Sequence, residues 1–253
     1  MSRLMPLFAA LLLCLGGCAP TTQLARTGFK RPEGNYKLVV MKPDISVGVL
    51  TAGGLTEPRE DWTVEASTNV LASLKAQQAK HGGTTQILFA SNNASGDDPM
   101  LNDLYRLHAA VGNSILLHKY TPGSELPTKR GKFDWTLGKL ATDYGSATGN
   151  DYALFLHAED SFSSGGRVAL QAVSVLGCVV GVCVIPEGGS QKAFVSLVDL
   201  KTGEVVWFNH LVSSVGDIRK RDGADKMVDK LLEKMRDAKP VKRSTINRNS
   251  RKH

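Results

Sequence analysis

The sequence predicts a single α/β domain, a sandwich with a mixed sheet, a C-terminal β-hairpin and a closing helix. Three observations lead there. Short β-rich runs are interleaved with segments of helical period, the pattern of a sheet flanked by helices. Tyr152-Ala153-Leu154-Phe155-Leu156 is a nearly continuous apolar run, as a central strand buried on both faces requires. The 253 residues are 42% hydrophobic and 22% charged, enough to bury one core, which excludes a largely disordered or collagen-like chain. No internal repeat and no second domain emerge.

Each element has a local reason. Leu38 to Leu50 alternates as a strand does, with Pro43-Asp44 marking a bend. Thr51 to Leu55 is a Gly-rich turn. A helix is expected from near Thr56 or Glu57, with Pro58 in its first turn and Glu60 and Asp61 at its positive end. Trp62, Ala66, Val70 and Leu74 form its apolar stripe, and Gly82-Gly83 stops it. Thr85 to Phe89 reads as a second strand. Asp98-Pro99 is an N-cap and N1 pair, opening a helix with Leu101, Leu104, His108, Val111 and Ile115 at helical spacing. Gly112-Asn113 is expected to weaken its middle. Thr121 to Lys132 is a connector, and Trp135, Leu140 and Tyr144 suggest a short helix before a loop from Gly145 to Asn150. Ala193–Asp199 and Glu204–His210 form a hairpin whose turn, Lys201-Thr202-Gly203, ends on a glycine able to take positive φ. Asp222 then caps a helix striped with Ala224, Met227, Val228, Leu231, Leu232 and Met235.

The net charge of +7 belongs to an appendage. Residues 239–253 hold six basic side chains and no acidic one, whereas from Cys18 to Ala238 the 24 acidic residues meet an equal number of basic ones. Such a tail suits an anionic glycan or lipid surface. It lacks Phe, Tyr and Trp for base stacking, which argues against nucleic acid.

Arg3, an apolar run from Leu7 to Leu15 and then Leu15-Gly16-Gly17-Cys18 read as a secretory signal, too short for a membrane span. The Leu-Gly-Gly-Cys quartet resembles the lipobox of bacterial lipoproteins. That resemblance implies cleavage before Cys18, several acyl chains on Cys18 and anchorage in a membrane. Ala19, which is not Asp, implies the outer membrane facing the periplasm. The expected organisation is therefore a signal peptide at 1–17, an acylated flexible tether at 18–35, a periplasmic α/β domain at 36–238 and a basic disordered tail at 239–253. A flexible tether would reach on the order of 20–25 Å. Once Cys14 leaves with the signal, Cys178 and Cys183 are the remaining thiols. In an oxidising periplasm they are either a Cys-x₄-Cys disulfide or two buried inert thiols.

Val168 to Ile185 holds 18 residues without a charge. Two readings are open: a buried helix-turn-strand or strand pair, and a membrane-touching hairpin or pore element. Ser163–Gly166 and Pro186–Gly189 are hinge-like flanks. No serine-hydrolase elbow, phosphate loop or His-Glu-x-x-His motif occurs. The best titratable cluster is His157-x-Glu159-Asp160, where strand alternation puts His157 and Glu159 on one face as weak candidates for a metal or for catalysis. His108, His118 and His210 read as core histidines, and Trp62, Trp135 and Trp207 as packing.

The lipobox, the element order and the hairpin Leu197-Val198-Asp199-Leu200-x-Thr202-Gly203 resemble uncharacterised proteobacterial lipoproteins. More remotely, they resemble the curli-secretion-type and penicillin-binding-protein-activator lipoproteins. The resemblance implies a non-catalytic accessory or assembly factor of the envelope with a protein partner and no cofactor. One alternative is a homo-oligomeric secretion or pore component inserting residues 168–185. A second is a periplasmic enzyme using His157 and Glu159.

Overall fold

The computed structural model describes residues 21–25, 31–32, 36–80, 86–89, 98–179, 186–212, 215–236 and 240–241. The α/β expectation holds. An eight-stranded mixed sheet is covered by a helix pair on each face. Its centre is β7 (Tyr152–Ser163), antiparallel to β8 (Gln191–Asp199), which is antiparallel to β9 (Val205–Leu211). The other edge of β7 carries two strands in succession, both parallel to it. These are β3 (Lys37–Val40), beside Tyr152–Leu154, and β4 (Asp44–Leu50), beside His157–Ser163. The bend read at Pro43-Asp44 is the break between them. Beyond β3 lies β6 (Gln86–Phe89), in parallel.

The helix expected from Thr56 begins later. Thr56–Pro58 is a strand, β5, folded back antiparallel onto β4, and α1 runs Glu60–Lys80. Propensity favoured a helix start, but Gly54 takes φ 87° and returns the chain so that Arg59 N–H bonds the Val47 carbonyl at 2.8 Å. Pro58, unable to donate, sits on this short edge.

One face of the sheet packs Leu154, Leu156, Val195 and Trp207 against Ala66, Val70 and Leu74 of α1 and Met227, Val228 and Leu231 of α5 (Arg221–Arg236). Asn209 Nδ2 donates to the Leu231 carbonyl at 2.7 Å, fixing α5 to β9. Asp222 lies in the first turn of α5 rather than capping it, and pairs with Lys226 at 3.5 Å. The other face packs Phe155, Phe194 and Phe208 against Leu104 and Ile115 of α2 (Pro99–Tyr120) and Ala141 and Tyr144 of α3 (Gly138–Thr148). Asp98 caps α2 as expected, accepting from Met100 N–H at 3.0 Å. α2 is continuous through Gly112. This glycine admits the Phe194 ring, into which a Cβ would run. The loop expected from Gly145 is helical as far as Thr148, because Gly149 (φ 68°) supplies the C-cap.

The hairpin turn is as read: Asp199 accepts from Lys201 and Thr202 N–H at 2.8 and 3.2 Å, and Gly203 has φ 75°. Within the stretch expected as a tether, Thr21–Ala25 instead forms β1, antiparallel on the outer edge of β9. The reason is an edge of unpaired N–H and C=O groups met by a short segment without proline. Arg31–Pro32 (β2) pairs in parallel with Pro240–Val241 (β10), so the start of the basic tail is joined to the segment expected as a tether. Cys18 and Cys183 lie outside the described residues, and with Cys183 the question of a disulfide to Cys178.

Candidate functional site

Alternation along β7 sends His157 and Glu159 to the α2 face and Asp160 to the α1/α5 face, as the spacing predicted. The structure adds partners that lie far away in sequence. Parallel pairing of β4 with β7 sets Asp44 beside His157, whose Nδ1 is 2.7 Å from Asp44 Oδ2 and whose Nε2 is 3.0 Å from Glu159 Oε1. Antiparallel pairing with β8 brings Lys192 Nζ to Glu159 Oε2 at 2.9 Å, and that ammonium also donates to Asn113 Oδ1 of α2 at 3.1 Å. Carboxylates only accept, so the two hydrogen bonds of His157 are both satisfied when the ring is doubly protonated. Burial pulls its pKa down, but the bonds to Asp44 and Glu159 outweigh burial and leave it raised. Burial lifts the Glu159 pKa, and His157 and Lys192 more than reverse that.

The cluster is thus two carboxylates against an imidazolium and an ammonium. His157 is buried and stacks on Phe194 at 4.9 Å. The ring is therefore held on three sides. Its nitrogens are occupied and Lys192 repels a cation. Among the described residues no group of three or more His, Cys, Asp and Glu could hold a metal. His108 lies deeper, 2.9 Å from Ser196 Oγ, and burial together with the His157 charge pushes its pKa down to about 3. On the opposite face Asp160 accepts from Gln191 Nε2 at 2.9 Å, and burial raises its carboxyl to about 6.

The tryptophans do not converge. Trp207 is fully buried, Trp135 lies under Lys129 on the α2/α3 face, and Trp62 of α1 stacks against Arg59 and Arg219 at 4.6 and 4.2 Å. His118 Nδ1 bonds the Ser124 carbonyl at 2.6 Å, and His210 is buried against Tyr120.

The other candidate is the apolar segment. Its described part is one helix, α4 (Gly165–Val179), and not a buried strand pair. Val168, Leu170, Val173 and Val175 are exposed, because polar Arg167 and Gln171 hold the helix to the body from its inner side. The flanks are tied as well: Gly189 N–H bonds Ser163 Oγ at 3.1 Å and Ser190 N–H bonds Ser161 Oγ at 3.0 Å. Among the described residues no helix is long and apolar enough to cross a membrane. Sequence alone located this segment but not its outward face, and it located His157 and Glu159 without Asp44, Lys192 or Asn113.

No family model matches the chain, and no curated protein matches it. Among solved structures it is remotely similar to the PelC dodecamer from Paraburkholderia phytofirmans, at 12% identity and TM-score 0.38, covering 85% of this chain and 95% of that one. A point variant of that dodecamer gives 15% and 0.37, over 85% and 96%. The LpoB C-terminal domain from Salmonella enterica gives 15% and 0.23, over 82% and 92%.

Proposed function

We propose that the chain is an outer-membrane-anchored periplasmic lipoprotein acting by binding, as a non-catalytic accessory or assembly factor of the envelope. The observation that carries this reading is the position of the lipobox cysteine. Cys18 stands three residues before Thr21, the first residue of an edge strand of the sheet, so an acyl anchor there is joined closely to the folded body. Two or more acyl chains make such an anchor stable, since each buried CH₂ contributes about 0.8 kcal/mol. The polar cluster supports a binding role over catalysis, because every charge in it is matched by an opposite one. The basic tail adds an electrostatic contact to anionic glycan or lipid.

A second reading, a homo-oligomeric secretion component, is favoured by the exposed apolar residues of α4. One preparation separates the two: the native protein in mild detergent, measured by intact mass, pull-down mass spectrometry and light scattering. The accessory reading expects a chain starting at an acylated Cys18, monomeric, with a reproducible envelope protein. A closed homo-oligomer without a partner contradicts it, and an unacylated N-terminus contradicts the anchor.

A further inference from the structure

We propose that the outward face of α4 lies on the lipid surface that holds the Cys18 anchor, as an interfacial contact and not as a span. The inference rests on the anchoring reading above. A helix on a soluble domain normally turns its apolar stripe to the core. α4 does the reverse. Its inward residues are polar, with Arg167 Nε donating to the Glu187 carbonyl at 2.9 Å and Gln171 Nε2 to the Pro186 carbonyl at 3.0 Å. Its outward Val168, Leu170, Val173 and Val175 are 53, 40, 64 and 51% exposed. Arg167 is the sole charge in the helix. Leu55, 73% exposed, lies on a neighbouring turn that Arg167 Nη1 holds through the Ala52 carbonyl at 3.3 Å.

The place where the chain begins its first strand identifies what covers this face. Thr21 pairs with Leu211, Leu211 with Ala193 and Ala193 with Ala158. From Ala158, β7 runs on to Ser163 and enters α4 at Gly165. Because β1 is antiparallel to β9, Thr21 is at the same end of the sheet as α4. Three residue steps separate Thr21 from Cys18, at most about 11 Å. β1 stands three strands from β7, roughly 14 Å across the sheet. A lipid on Cys18 therefore brings the bilayer to the end of the molecule where the apolar residues of α4 point outward. The described part of the helix, 15 residues or about 22 Å, is not long and apolar enough to cross the ~30 Å hydrocarbon core, whereas a helix lying flat buries an apolar face ~5–10 Å deep. The opposite end of the sheet, with the Gly203 turn, then faces the periplasm.

The test places acylated full-length protein carrying Val173→Trp in vesicles with brominated acyl chains and compares its fluorescence with that of the parent. The added tryptophan is expected to lose most of its emission, and Val168→Trp provides a second reporter at a similarly exposed position. Emission unaffected by bromine at both positions, with Cys18 shown by intact mass to be acylated, overturns the proposal and leaves the anchor standing. So does a dimer by light scattering whose α4 is shielded from an aqueous quencher but not reached by bromine, since a second copy then covers the face. An unacylated Cys18 overturns both.

Discussion

Helices α4 and α5 are of similar length and opposite construction. α5 is rich in charge, yet it turns Ala224, Met227, Val228, Leu231 and Leu232 inward until they are buried, and Asp222, Lys226 and Lys230 outward. α4 is almost uncharged, yet it spends its polar side chains on the body and leaves its valines to the solvent. The difference teaches that apolar content does not say where a helix faces. α5 is part of the core, whereas α4 is a surface whose apolar residues await a cover.

If that contrast is right, substitutions in the two helices must behave differently. Leu231→Ala, in the fully buried stripe of α5, is expected to cost ~2–5 kcal/mol in urea unfolding. Gly112→Ala tests the cluster on the other face of the sheet, where the new methyl meets the Phe194 ring, at an expected ~1–3 kcal/mol. Asp160→Asn should stabilise the fold near neutral pH by about 1–3 kcal/mol, since the buried carboxyl no longer has to ionise. The sign follows from a folded pKa raised to about 6: the folded state holds its proton more tightly, so stability falls as pH rises from the unfolded value through about 6 and levels off above it. His157 has the same sign in another window. Its raised pKa means the stabilisation is full below the unfolded value of about 6.5 and is lost as pH rises through the folded value. The difference between the parent and His157→Gln, read from urea midpoints across pH, should therefore shrink on the alkaline side. At the bottom of the scale, Val173→Asp on α4 should shift unfolding in solution by less than about 0.5 kcal/mol. A large loss there would mean the valine is packed, which would abolish the contrast.

The elements that were legible in the sequence are those determined within a few residues. The Asp98-Pro99 cap, the bend at Pro43 and the Asp199–Gly203 turn depend on neighbours alone. What was missed depends on pairing across the chain. Thr56–Pro58 became a strand because β4 offered it an edge, and Thr21–Ala25 because β9 did. In the polar cluster, His157 and Glu159 share a strand face by alternation. Asp44 and Lys192 reach them only through the register of β4 and β8 with β7. The outward face of α4 was hidden for a related reason: an uncharged run has too little polar contrast to show which side binds the body, and Arg167 and Gln171 find their acceptors in a segment beyond its end.

The central claim is that α4 lies on the bilayer, and amide hydrogen exchange compared between α4 and α5 tests it most directly. Acylated protein in nanodiscs is measured beside a Cys18→Ser form in solution. The account predicts that α4 exchanges quickly in solution and becomes protected in the nanodisc, while α5, buried in both, does not change. Equal exchange of α4 in the two samples, with Cys18 acylated in the nanodisc, would contradict it.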